Sequence, residues 1–265
     1  MNENQNIKSH EKAFGILLTR GFNLIFPKNL RGFLFYLRDL LRIKKQQQNN
    51  KDFLLKYYPK LTDRFEKAGI LSGDYFHQDL LVAKKIFAAN PVKHIDIGSR
   101  IDGFVSHVAV FREIEIFDIR EQISCIENIR FTRADLMEFP ENLENYCDSI
   151  SALHSIEHFG LGRYGDPIDY NGHLKAIINI TKILKPSGFF YFSVPIGKQR
   201  IEFNAHRVFS VPYLWDILKE NYRLISFSYV DDAGNLHENV EFINKSIEDS
   251  FACHCGCGIF ELQKR

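Results

Sequence analysis

Neither sign of charge dominates this 265-residue chain: 34 Lys and Arg stand against 33 Asp and Glu, a formal net charge of +1. With no global field to attract it, nucleic acid is not an expected partner. Long apolar runs are missing too. Arg20, Lys28, Arg31 and Arg38 interrupt the first apolar region, and nothing approaches the roughly 20 apolar residues a membrane helix needs. The opening MNENQNIKSHEKAFG is polar and carries acids, unlike a secretory signal. The cysteines, Cys125, Cys147, Cys253, Cys255 and Cys257, are odd in number, which argues against a disulfide framework and for a reducing compartment. A cytoplasmic location is expected, and no internal repeat is visible.

What is present is an ordinary globular composition, 45% hydrophobic and 25% charged, enough for one substantial core plus an appendage. Residues 13–45 are aromatic, leucine-rich and basic, and end in the polar run QQQNNK at 46–51. Within them NLRGFLFYLRDLLRIKK sets Leu30, Phe33, Leu34, Leu37, Leu40 and Leu41 near helical spacing, predicting an amphipathic helix. Such a helix packs on the main domain or a second subunit, as in a homo-oligomer, or lies on the inner face of a membrane through peripheral contact of residues 13–45. A further helix is predicted over 74–90, with Asp74 as its cap.

From residue 93 the texture changes to short β-rich runs separated by helices and loops: KHIDIG (93–98), EIEIFDIR (113–120), NIRFTRADL (128–136), DSISALH (148–154), GFFYFSVPI (188–196), LISFSYVDD (224–232) and CGCGIFELQ (255–263). This alternation predicts an α/β fold, Rossmann-like and doubly wound, with a mostly parallel seven-stranded sheet over 73–265 and an N-terminal helical extension over 1–72. In such sheets the ligand lies beyond the carboxyl ends of the strands. Gly98 and Gly103 follow the first strand. Asp118 ends the second, 22 positions after Asp96, where a carboxylate can accept from ribose hydroxyls, and Asp135 follows the third, where it can accept from an adenine amino group. Each has an ordinary alternative, a turn or a helix cap; order and spacing carry the reading.

His154, Glu157 and His158 form the pattern H-x-x-E-H, which some peptidases use to hold zinc. That use needs both histidines on one helix face, whereas SISALH before them has β character and HFGLGRYGDP after them would stop a helix. Strand, then turn, is the expected structure, with all three residues at a cleft. The loop GLGRYGDPID contributes Arg163, Tyr164, Asp166 and Asp169 to its mouth, as a lid, an acceptor site or a purely structural turn. Lys198, Arg200, Asn204, His206 and Arg207 follow the fifth strand. The tail FACHCGCGIF offers Cys253, His254, Cys255 and Cys257 to zinc, but the alternating spacing on a strand favours a core face and no metal.

HIDIGSRIDG, EIFDIR, RADLME, SALHSIEH and LKPSGFFYFSVP together resemble the successive motifs of the class I S-adenosylmethionine-dependent methyltransferases, over roughly residues 74–263. DSISALHSIEHFGLGRYGDPIDYNGH, LKPSGFFYFSVPIGKQRIEFNAHRVFS and CGCGIFEL more closely resemble a bacterial domain-of-unknown-function branch associated with surface-polysaccharide biosynthesis. The resemblance implies S-adenosylmethionine as cofactor, held by Asp96, Gly98, Arg100, Asp102, Gly103, Asp118, Asp135 and His154. It implies a carbohydrate or nucleotide-sugar acceptor met by Glu157, Arg163, Tyr164, Asp169, Lys198, Arg200, Asn204 and Arg207. A base for its hydroxyl is expected among His158, His154 and His206, with Asp166 orienting one of them. One departure stands out: the family's small residues after the first glycine are replaced by Arg100 and Asp102. Those two either grip the polar end of the cofactor or mark a fold turned to non-catalytic binding of a nucleotide sugar or a partner protein.

Overall fold

The structure, a computed structural model, describes residues 28–47, 52–123, 125–139, 142–242 and 244–265. The polar opening, the part of the basic region before Lys28 and most of the run at 46–51 lie outside the described residues. Two compact units meet in sequence between Ile70 and Leu71.

In the first unit the amphipathic pattern forms helix α1, Lys28–Gln47. One of its faces is held by the chain that follows. A Cβ on Gly32 would stand 1.8 Å from the Leu61 carbonyl oxygen, so only glycine admits this approach. Phe35 packs against Phe65 with ring centroids 6.1 Å apart, Arg64 lies 4.5 Å over Phe35, and Arg64 also pairs with Asp39.

The second unit is a three-layer sandwich. Helix α2 (Asp74–Ala89) leads into β1 (His94–Ile97), a wound segment at Ile101–Val105 that runs into the short helix α3 (Ser106–Ala109), β2 (Ile114–Asp118), β3 (Ile129–Arg133) and β4 (Cys147–Leu153). Then come α4 (Gly172–Ile183), β5 (Leu184–Ile196), the hairpin β6 (Arg200–Glu202) and β7 (His206–Val208), α5 (Val211–Leu218), β8 (Tyr222–Val230), β9 (Leu236–His237), α6 (Asn244–Glu248) and β10 (Gly256–Lys264). Sheet order is β3-β2-β1-β4-β5-β10-β8-β9, with β1 to β5 parallel and β10 antiparallel to both β5 and β8. The seven expected strands are all present, and two-residue β9 makes an eighth at the edge. Asp74 is the first residue of α2 and not its cap; Gly73 holds that position without a side-chain hydrogen bond.

Alternation along the strands divides the core. Phe190, Phe192, Phe260 and Leu262 turn to α4 and α5, where Ile177, Ile180, Leu214 and Leu218 meet them, while Tyr191 and Ile259 turn to Leu81, Val82, Ile86, Phe104 and Val108. β1 is buried along its whole length, as a central parallel strand covered on both faces should be. Among the described residues no helix is long and apolar enough to cross a membrane.

Candidate functional site

The strand order reverses direction at β1: its neighbour β2 leads outward one way, β4 the other. Connections leaving there diverge and open a crevice at the carboxyl edge. A cleft occupies this place in two adjoining lobes, of about 530 Å³ and 1500 Å³ including the open mouth. Gly98, Asp118, Arg120, His154, His158 and Tyr164 line both. The smaller lobe adds Phe117, Ile119, Ala134, Asp135, Leu136, Ser155, Phe159 and Asp166, a mostly apolar lining with two further carboxylates. The larger is polar, with Tyr75, Arg100, Asp102, Glu157, Arg163, His206 and Cys255 among its walls.

The first turn is shaped from below. Gly98 has φ +64°, and a Cβ there would press to 3.2 Å from Ser155 Cβ, so a larger residue at this turn would be strained. Asp96 is fully buried and lines neither lobe. It accepts from Ser99 N (2.9 Å), Ser99 Oγ (2.6 Å) and Ser151 Oγ (2.5 Å), and burial pushes its carboxyl up to about 6. It shapes the turn from within the core, whereas the expectation had placed it on the cleft wall. Gly103 also turns away from the cleft, against Asp79. Arg100 and Asp102 do face the cleft, paired with each other at 2.6 and 3.1 Å.

Asp118 stands at the end of β2, as expected, but its carboxylate is engaged by a residue the sequence reading passed over. Arg120 donates to it through Nε (3.0 Å), Nη2 (2.5 Å) and its backbone N–H (2.8 Å), and the guanidinium lies 4.5 Å over the Tyr164 ring. Asp135 uses Oδ1 to accept from Met137 N.

His154, with φ +48°, leaves β4 and turns its imidazole inward. Its Nδ1 meets Glu157 Oε1 at 3.1 Å, and Glu157 lies on the single helical turn Ile156–His158. Burial alone would discharge both groups. Their attraction prevails: Glu157 is held below the ordinary carboxylate value, and His154 is raised well above 6.5 by the Cys257 sulfur and Glu157 together. Burial raises the Cys257 thiol in turn.

His158 is in the opposite state. Burial lowers its value against the pull of Glu157, leaving it neutral near pH 7. Its Nδ1 lies 2.7 Å from the Ala205 carbonyl, which can only accept, and 3.4 Å from Arg163 Nη1, which can only donate; the shorter contact assigns the hydrogen to Nδ1 and the lone pair to Nε2, 3.6 Å from Glu157 Oε1. His206 stands 6.4 Å from His158, ring to ring, with Nε2 3.4 Å from Glu202 Oε2. His154 and His158 thus face one carboxylate from different elements, and no group of three metal-ligating side chains gathers among the described residues.

Several expected site residues do other work. Asp166 accepts from the backbone N–H of Gly160 (2.8 Å), Gly162 (3.1 Å) and Tyr164 (3.1 Å), holding the glycine loop and orienting no histidine. Asp169 pairs with Lys175 and accepts from Asn171 N. Arg207 is buried, donating to the carbonyls of Phe159 (2.6 Å), Tyr170 (3.1 Å), Glu157 (3.3 Å) and Asp169 (3.4 Å). Lys198 borders a separate surface cleft, Arg200 is bound to Glu202 and the His254 carbonyl, and Asn204 lies in the β6–β7 turn away from both lobes. The cysteines share no strand face either: β10 begins at Gly256, so only Cys257 points from it into the core, while Cys255 borders the cleft. Tyr75 on α2 was also missed. It lies against His154 at 5.2 Å, but its helical pattern signalled only packing.

No curated protein matches the sequence. Among solved structures, the chain is similar to the [4+2]-cyclase SpnF (13% identity over 71% of this chain and 80% of that one, TM-score 0.49). It is similar to the N-methyltransferase NodS of Bradyrhizobium japonicum WM9 in complex with S-adenosylhomocysteine (12%, 84% and 97%, 0.48), and to the YcgJ protein of Bacillus subtilis (14%, 71% and 98%, 0.49). A family profile matches residues 105–245, more than half of the chain, from the wound segment after β1 past the cleft-lining residues of β2 to β7. Its description points to Caenorhabditis and not to the expected bacterial polysaccharide branch, a link that no comparison supports. The chain belongs to the family described as "Caenorhabditis protein of unknown function, DUF268".

Proposed function

We propose that this protein transfers the methyl group of S-adenosylmethionine to a hydroxyl of a small acceptor, with His158 as the base. The observation that carries the reading is His158 itself. It is neutral, its Nδ1–H is fixed on a carbonyl, and its Nε2 is free at a cleft beside a buried carboxylate. A proton arriving at Nε2 forms an imidazolium next to Glu157, which stabilises it. His154, already charged, cannot take that proton and instead positions Glu157.

The smaller lobe fits the nucleoside part of the cofactor. Gly98 offers close backbone approach, Phe117, Ala134 and Leu136 give apolar walls, and Asp118 and Asp135 stand where ribose hydroxyls and an exocyclic amine would be read. When bound, the cofactor supplies an electrophilic methyl group. Arg120 must share Asp118 with the ribose. Arg100 is paired with Asp102 and Arg120 with Asp118, which leaves Arg163 as the cation offered to an acceptor carrying phosphate or carboxylate; a nucleotide sugar or a phosphorylated carbohydrate meets that requirement. A cytoplasmic site of action belongs to the same proposal.

The Asp118–Arg120 pair supports a second reading, a methyltransferase-like protein that binds a nucleotide or partner without transfer. Calorimetry with S-adenosylmethionine and S-adenosylhomocysteine, using Asp118→Ala as control, separates the two. Binding that the substitution abolishes supports the cofactor site. A folded protein that binds neither makes the second reading the leading one.

A further inference from the structure

Among the described residues of its own unit, helix α1 packs through one of its faces. Gly32, Phe35 and Asp39 meet Leu61, Phe65 and Arg64. On the other side Leu30, Phe33, Leu34, Leu37 and Leu41 are exposed, from 40% at Leu37 to 70% at Leu41. At about 100° per residue these five fall in one arc of about 100°, centred nearly opposite the packed face.

Charge follows the same division. Arg31, Arg38, Arg42 and Lys45 run along one border of the exposed stripe and Lys44 closes its end; Asp39, the only acid in the helix, lies on the packed face and pairs with Arg38, Arg42 and Arg64, while Arg31 lies 4.7 Å over Phe65 and Lys44 5.1 Å over Tyr57, so the border keeps a net positive charge with Lys45 as its least engaged member. Leu30, Leu34, Leu37 and Leu41 also have the 4-3-4 spacing of a coiled-coil seam, which makes a second copy the competing occupant. The flanks of that seam decide against it. Arg31, Arg38 and Lys45 fall on one flank and Phe33 and Leu40 on the other, so no acid is available across the pair, and an antiparallel pair would set the cations against each other. A surface that is apolar within and anionic at its rim satisfies both stripe and border.

We propose that α1 lies in the plane of an anionic lipid surface, with the leucine stripe at the boundary of the acyl chains and the basic border on the headgroup phosphates. The proposal does not rest on the reaction proposed for the second unit. The test is flotation of the full chain at low salt with phosphatidylcholine vesicles and with vesicles also containing phosphatidylserine, alongside light scattering for oligomeric state. The wild-type protein should float with the anionic vesicles on the order of tenfold more than with the neutral ones. Both the exposed-stripe variant Leu34→Ser/Leu37→Ser/Leu41→Ser and the charge variant Arg42→Gln/Lys44→Gln/Lys45→Gln, each checked by circular dichroism, should lose on the order of tenfold or more of that binding. The charge variant removes the Lys44 contact with the Tyr57 ring and the Arg42–Asp39 pair but no apolar side chain, and unchanged circular dichroism separates its loss of binding from unfolding. No flotation with anionic vesicles, flotation that neither variant weakens, or a wild-type dimer that the leucine variant disperses without any vesicle binding would each overturn the proposal, the last in favour of a second copy.

Discussion

At the scale of single residues, the proposed reaction draws on two histidines four positions apart whose proton affinities are shifted in opposite directions, His154 upward and His158 downward. Replacing His158 with Ala should lower turnover by about 10²–10⁴-fold, the usual contribution of a general base, while cofactor affinity measured by calorimetry stays within about twofold; a variant with full activity removes His158 as the base. The Glu157–His154 pair makes a different prediction, on stability. Glu157 is depressed, so its contribution is present above its ordinary 4.5 and fades as pH falls through the folded value. His154 is raised, so its contribution is complete below its ordinary 6.5 and fades as pH climbs through the folded value. Relative to a Glu157→Gln/His154→Gln variant, the wild-type protein should therefore gain most stability between about pH 4.5 and 6.5 and lose the advantage on either side, as read by urea unfolding across pH. Glu157→Ala alone, which strands a buried imidazolium, should cost about 3–5 kcal/mol.

At the scale of elements, the glycine loop between the Ile156–His158 turn and α4 is built by backbone capture. Asp166 gathers three N–H groups from inside it, and Arg207 gathers four carbonyls from its two ends. Arg207→Lys keeps the charge but not the fork, and should cost about 2–3 kcal/mol and speed amide hydrogen exchange over 159–170 before it affects β1 or β4. Unchanged exchange there would show that the loop closes without Arg207. The strand ends that reach the cleft were legible in the sequence, because a β-rich run places its last residue at the carboxyl edge by itself. Gly98, Asp118, Asp135 and His154 were found that way. Arg207 was not, since its neighbours Lys198, Arg200, Asn204 and His206 have the same basic look; only the folding of the loop back over β7 buries one of them. Arg120 was overlooked for the reverse reason: two positions past Asp118 it reads as a solvated charge, and its bidentate grip exists only because the chain turns there.

At the scale of the whole molecule, the strand order was recoverable only in part. Alternation of strand and helix through β5 implies parallel neighbours, but nothing local to CGCGIFELQ says that it inserts between β5 and β8. Pairing decides that: Phe260 meets Phe192 on one side and Phe227 on the other, joining three aromatic residues from distant parts of the chain across the sheet. Deleting residues 256–265 should therefore abolish cooperative thermal unfolding, while deleting only 263–265 should leave a transition lowered by a few degrees; a shortened chain that still melts sharply would show that β5 and β8 can close on each other.

The position of β10 also has a consequence in time. While the chain is being made, β5 and β8 emerge with their facing edges open, and Phe190, Phe192 and Phe227 wait for a strand not yet translated. The half-built sheet is then an aromatic-rich template for any extended segment nearby, and its yield in a cell should depend on the speed of late translation and on chaperones that shield those edges.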